Sequence, residues 1–130
     1  MRILLDGSNI LYWRGGQVQA ELPALVVQAL RARRFDPVVY FDNTVTHHLA
    51  AERLAGLRGQ AAVHIAPQGT AADELLLAAC GAGRIQIVTN DRFVAWRGLY
   101  PALRRTWLVS GRALKGGRVS FSKTLRPAPL

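Results

Sequence analysis

Five aspartates occur in the chain, and four of them fall where a buried strand is expected to end or a helix to begin. Asp6 follows the apolar run Ile3-Leu4-Leu5, and Asp42 follows Val38-Val39-Tyr40-Phe41. Asp91 comes after Ile85-Gln86-Ile87-Val88 by way of Thr89-Asn90, and Asp73 stands in the first turn of a helix that follows a third strand. If the strands run parallel, all four carboxylates share the carboxyl edge of the sheet, where diverging loops leave a crevice for a ligand. Carboxylates gathered there repel, by about 4 kcal/mol for a pair ~4 Å apart at an effective dielectric near 20. The cluster must therefore hold a proton or a cation. Oxygen donors without histidine or thiolate partners suit Mg²⁺ or Mn²⁺, which polarise a phosphodiester and lower the pKa of water.

Each aspartate also has a local reading. Asp6 closes an Asx turn with Asn9 in one view, and Asp42 does the same before the next helix. Thr70-Ala71-Ala72-Asp73 has the pattern of a capping box, and Asn90 or Asp91 suits the cap of a short helix. Every helix of a parallel sheet starts on this edge, so independent caps would fall there too. Position alone leaves both readings open.

The elements that must place these residues follow from periodicity. Short apolar runs alternate with longer stretches of helical spacing, which predicts an α/β fold: a three-layer α/β/α sandwich around a mostly parallel sheet. Strands are expected at residues 3–5, 38–41, 61–65, 85–88 and 106–109. Helices are expected over roughly 21–34, 44–57 and 70–80, with a short one after Asp91. Leu114 to Val119 reads as a hairpin turned on Gly116-Gly117, and residues 125–130, with two prolines, as an extended end. The whole of 1–130 reads as a single domain with a basic C-terminal segment over 110–130.

Composition supports one globular core: 130 residues are 50% hydrophobic and 19% charged, enough chain to bury a layered interior. A single cysteine, Cys80, excludes a disulfide framework and a cysteine-built zinc site, and reads as a small buried hydrophobe. No apolar run is long enough to cross a bilayer and the first residues lack a signal-peptide core, so no membrane role and a cytoplasmic location are expected. The net charge is +9, and its distribution is uneven. Residues 1–91 hold all eight acids and eight of the basic residues; residues 92–130 hold nine Arg and Lys and no acid. A one-signed field of this kind attracts polyanions, so nucleic acid is the first partner to consider.

Taken in order, Asp6-Gly7-Ser8-Asn9, Tyr40-Phe41-Asp42-Asn43, Thr70-Ala71-Ala72-Asp73-Glu74 and Thr89-Asn90-Asp91 resemble the NYN branch of the PIN-like nuclease superfamily. The resemblance runs from residue 3 to about 96. It implies a parallel sheet flanked by helices and a metal-dependent nuclease site, usually acting on RNA. Carried over position by position, Asp6, Asp73 and Asp91 match acidic ligands for Mg²⁺ or Mn²⁺, while Asn9 and Asp42 match accessory catalytic positions that orient water or metal. Members often carry a further acid one helical turn beyond Asp91, where this chain has Ala95.

The resulting expectation is an endoribonuclease hydrolysing single-stranded or structured RNA; a non-catalytic nucleic-acid-binding module of the same fold is the alternative. Arg92 and Arg97, close to the end of the fourth strand, and Arg112, Lys115 and Arg118 of the hairpin are candidate phosphate contacts. Trp13 and Arg14, with Tyr12, are candidate contacts to unpaired bases, Trp13 having core packing as its alternative. Trp96 and Trp107 read as core. A homodimer or a protein partner is a further expectation, as a source of specificity. His47 and His48 are neighbours that cannot readily share a metal, and His64 reads as a strand-surface residue. Gly81-Ala82-Gly83 precedes a strand and is no dinucleotide fingerprint, and a phosphatase using Asp42 as nucleophile lacks the second acid two residues on.

Overall fold

Five short strands lie side by side in the computed structural model, which describes residues 1–96, 98–100 and 107–125. They are β1 (Arg2–Asp6), β2 (Asp36–Phe41), β3 (Ala62–Ile65), β4 (Ile87–Val88) and β5 (Leu108–Val109). All neighbours are parallel, in the order β3-β2-β1-β4-β5. The helices are α1 (Gly7–Ile10), α2 (Leu22–Ala32), α3 (Ala51–Arg58) and α4 (Ala72–Gly83). A small antiparallel hairpin, β6 (Gly111–Ala113) and β7 (Val119–Phe121), follows β5.

The period of two along each strand separates two cores. Ile3, Leu5, Val39, Phe41, Val88 and Val109 face one, together with Ile10, Leu22, Val26, Val27 and Leu30 of α1 and α2 and Leu54 and Leu57 of α3. Leu4 and Ile87 face the other, against Leu76, Leu77 and Cys80 of α4. Helices therefore cover both faces of a parallel sheet, the three-layer arrangement that the alternating pattern predicts.

α2 shows how locally determined the framework is. Pro23 sits in its first turn, and buried residues recur at 22, 26, 27 and 30. It stops where Arg34 takes a positive φ of 66° and the Phe35 N–H reaches back to the Leu30 carbonyl at 3.0 Å, a Schellman closure formed without glycine. The hairpin turns as its sequence predicts, with Gly116 and Gly117 at φ of 74° and 75°.

Several boundaries differ from expectation. Residues 44–57 do not form one helix: Asn43–His47 is a 3₁₀ turn, and α3 begins only at Ala51. Thr44-Val45-Thr46 is a β-branched run that resists α-helix, and Val45 is drawn into the first core. The helix expected from Thr70 begins at Ala72, with no cap from Thr70. The helix after Asp91 is a single 3₁₀ turn, Val94–Trp96. Trp96 and Trp107 are only partly buried, packed against the second core rather than inside it. The Arg97 site, the first residue of the expected fifth strand and the expected C-terminal extension beyond Leu125 lie outside the described residues.

Candidate metal centre

The three acids lie on loops or helix starts at the carboxyl edge of the sheet, each held by a different neighbour. Asp6 ends β1 and is 3% exposed. Its Oδ1 accepts the Asn9 N–H at 3.2 Å and its Oδ2 accepts the Thr89 hydroxyl at 2.9 Å. Burial pushes its carboxyl up to about 7, against the pull of those two hydrogen bonds and with the help of Asp73 and Asp91. Asp73 is the second residue of α4, and its Oδ2 accepts the Trp96 indole N–H at 3.1 Å. Burial chiefly, with the charges of Asp91 and Asp42, raises its carboxyl as well.

Asp91 is exposed and fixed by its own loop. Its N–H donates to Thr89 Oγ1 at 3.0 Å, and its Oδ1 accepts the Phe93 N–H at 2.8 Å. Phe93 is fully packed in the second core yet has a φ of 51°, a left-handed conformation that costs an aromatic residue on the order of 1–2 kcal/mol. The bond from Asp91 and the packing of the ring together hold it there.

Oxygens of Asp6, Asp73 and Asp91 all lie within 4.8 Å of one another. A carboxylate can accept about four hydrogen bonds, so none of the anchoring contacts exhausts these groups as ligands. Three carboxyl groups this close together, with burial disfavouring the charged form of Asp6 and Asp73 and no nitrogen or sulfur donor in the set, have the chemistry of a hard divalent-ion site. The residues fit such an ion. Among the described residues this is the one group of three acids, histidines or cysteines so arranged.

Asp42 and Asn9 act on the same place without joining the three. The Asp42 N–H donates to Ser8 Oγ at 2.8 Å, and its Oδ1 accepts the Ala72 N–H at 2.9 Å. Asp42 therefore caps α4 from another strand's loop, and neither its own 3₁₀ turn nor Thr70 provides a local cap. Asn9 Oδ1 accepts both the Trp13 indole N–H at 2.9 Å and the Asn90 N–H at 2.8 Å. What remains on Asn9 for orienting water is its amide nitrogen. Asn90 in turn grips Gly111 twice, through Nδ2 to the carbonyl and Oδ1 from the N–H.

Sequence reasoning missed Ser8, Thr89, Asn90 and Trp96 as members of this network. Thr89 and Asn90 stood inside the motif around Asp91, and an indole N–H beside a partly buried ring always needs an acceptor; those were the available signals.

The expected nucleic-acid contacts are dispersed. Trp13 is partly buried, its ring against Gly111 and its N–H taken by Asn9, which is the packing alternative. Arg14 bonds Gln19 and lies 3.8 Å from Glu21. Tyr12 is exposed, edge-on to His48. Arg92 borders a cleft beside Asp91. Arg112, Lys115 and Arg118 are exposed on the hairpin, Arg118 bordering a separate groove with Gln28 and Arg33.

No protein-family model and no curated protein matches the chain. Solved structures do. A crystal structure of nuclear proteinaceous RNase P 2 (PRORP2) from A. thaliana is similar with a TM-score of 0.75 and 16% identity over 93% of this chain and 29% of that one. A second structure, of Arabidopsis thaliana nuclear protein-only RNase P 2, gives a TM-score of 0.69 and 18% identity over the same shares. The chain thus spans less than a third of the protein it matches, and at these identities the likeness is one of fold. The parallel sheet between helices is an arrangement this chain shares in outline with part of an RNase P protein.

Proposed function

We propose that this protein is a divalent-metal-dependent endoribonuclease of the PIN-like, NYN type, hydrolysing RNA phosphodiester bonds. The observation that carries the reading is the convergence of Asp6, Asp73 and Asp91 oxygens within 4.8 Å. The fold likeness to an RNase P protein and the acid-free basic stretch after Asp91 support it.

Asp6, Asp73 and Asp91 would hold Mg²⁺ or Mn²⁺. Bound there, the ion supplies Lewis acidity toward a phosphate oxygen and makes water a better nucleophile. The chain's own residues do the rest. Thr89 and the Asn9 N–H fix the Asp6 carboxylate, and Trp96 fixes Asp73, so the ligands stay in place when the cation leaves. Asn9 presents its amide nitrogen next to the same loop and orients water. Asp42 holds α4, and hence Asp73, against the β2 loop.

Incubation of the purified protein with end-labelled single-stranded RNA tests this. Cleavage in Mn²⁺ or Mg²⁺, abolished by chelator and by Asp6→Asn and Asp91→Asn, is the expected result. Tight RNA binding with no cleavage under any metal would replace the nuclease by the binding module, the reading that Ala95 favours, since it leaves the 3₁₀ turn after Asp91 without a fourth carboxylate.

A further inference from the structure

A polar cleft of about 330 Å³ opens beside Asp91, between the loop after β4 and the strand ends that bracket the hairpin. Asn90, Asp91 and Arg92 form one side; Ser110, Ser122 and Lys123 form the other. The walls are tied together. Asn90 grips Gly111 by two hydrogen bonds, the Ser110 N–H donates to Ser122 Oγ at 3.0 Å, and the Ser122 N–H donates to the Ser110 carbonyl at 2.9 Å. The cleft is thus a built feature of how the hairpin docks on the rim, and it shares Asp91 with the acid cluster.

Its lining specifies a ligand. Two cations, two serine hydroxyls, the Asn90 amide and the Thr89 hydroxyl suit phosphate and ribose oxygens against the single carboxylate of Asp91, while Leu108 supplies the apolar contact. Among the described residues no aromatic side chain lines it, and so none of them offers a platform on which a base could stack. The volume lies near the lower end of the roughly 300–1,000 Å³ range of small-ligand sites, room for one nucleotide unit and not for a duplex.

We infer that this cleft is a subsite for the phosphate and sugar of the nucleotide that flanks the cleaved bond, holding the RNA by its backbone irrespective of base. The inference rests on the nuclease reading for the identity of the polymer, but Asp91 is the one residue lining the cleft that also belongs to the acid cluster. The hairpin then has a function: it brings the segments on either side of it, at Ser110 and at Ser122 and Lys123, together as a wall beside β5, and Arg92 and Lys123 are the charges that draw the chain past Asp91.

Binding in chelator, where no cleavage can occur, tests the subsite alone. Uridine 5′-monophosphate and adenosine 5′-monophosphate should bind the wild-type chain with equal affinity, and uridine without phosphate should not bind. The amide resonances of Ser110 and Ser122 should shift on titration. Lys123→Gln and Arg92→Gln should each weaken both nucleotides roughly fivefold or more, and each should lower the slope of log affinity against log salt for a short RNA by about 0.7. Arg58→Gln, the same charge change on α3, should alter neither. Equal binding of uridine, a base preference, or equal losses for Arg58→Gln and Lys123→Gln would overturn the subsite. Cleavage with no phosphate binding removes the subsite and leaves the nuclease; phosphate binding with no cleavage does the reverse.

Discussion

The two sides of the carboxyl rim are built by different means. On the β1–β2 side the strands run five and six residues, and Asp6 at the end of β1 is deeply buried as well as held by the Asn9 N–H and the Thr89 hydroxyl. On the β4–β5 side the strands are two residues each, and Asp91, Asn90 and the hairpin are positioned by side-chain hydrogen bonds. Burial fixes a charge at the cost of its ionisation. Polar clamps hold side chains in place while leaving them exposed to solvent, as Asp91 is. The acid cluster thus lies in the part of the chain whose charges sum to zero, and the acid-free basic part follows Asp91.

The largest expected effect lies at the buried end. Asp6→Asn removes an anionic ligand and should lower metal-dependent RNA cleavage at least about 100-fold, read in single-turnover assays; Asp91→Asn should do the same. An Asp6→Asn protein that cleaves normally would mean that the solvated side alone carries the chemistry.

The second effect is on stability. Asp6 ionises near 3.8 when unfolded and near 7 when folded, so the folded state retains an extra proton between those values. Metal-free protein should therefore lose stability as pH rises from about 4 to about 7, on the order of 3–4 kcal/mol, and level off above. Urea unfolding across that range measures it. Millimolar Mn²⁺ should restore stability at the upper end, and Asp6→Asn should flatten the curve.

Trp96→Phe keeps the ring and deletes the hydrogen bond to Asp73. Metal affinity should fall about 10-fold, by titration calorimetry, with little change in melting temperature. A large loss of stability and no loss of affinity would make Trp96 a packing residue only.

The remaining effects compare the two sides directly, through glycines that each lie against an aromatic ring. A methyl at Gly7 would run into the fully buried Phe41, whereas one at Gly111 would run into the partly buried Trp13. Gly7→Ala should cost about 1–3 kcal/mol, and Gly111→Ala about 1 kcal/mol, because Trp13 has solvent to yield toward. Equal costs would show that the clamped side is as unyielding as the buried one.

Much of the buried side was legible in sequence, because its information is local. Ile3-Leu4-Leu5 and Val38 to Phe41 read as strands from their apolar runs, and each is followed by its aspartate. Parallel strands place Asp6, Asp42, Asp73 and Asp91 on one rim, and the family resemblance alone singles out Asp6, Asp73 and Asp91 as the ligand set. What could not be read was every contact between distant loops. Thr70 looked like the cap of α4, yet Asp42, thirty residues before the Ala72 it bonds, performs that role. Trp96 looked like core because its apolar ring outweighs its single donor, and only the fold brings that donor to Asp73. The break at His48–Ala50 was hidden because Leu49, Leu54 and Leu57 keep a near-helical spacing across it.

Asp42 has a consequence for how the molecule comes apart. Its amide and its carboxylate join the Ser8 hydroxyl to the first free N–H of α4, so three segments distant in sequence meet at one residue. Warming cannot unwind that helix from its leading end without also releasing the turns that follow two neighbouring strands. The Ala72 amide should then exchange with deuterium as slowly as interior amides do, and the rim should be lost in one event instead of fraying piece by piece.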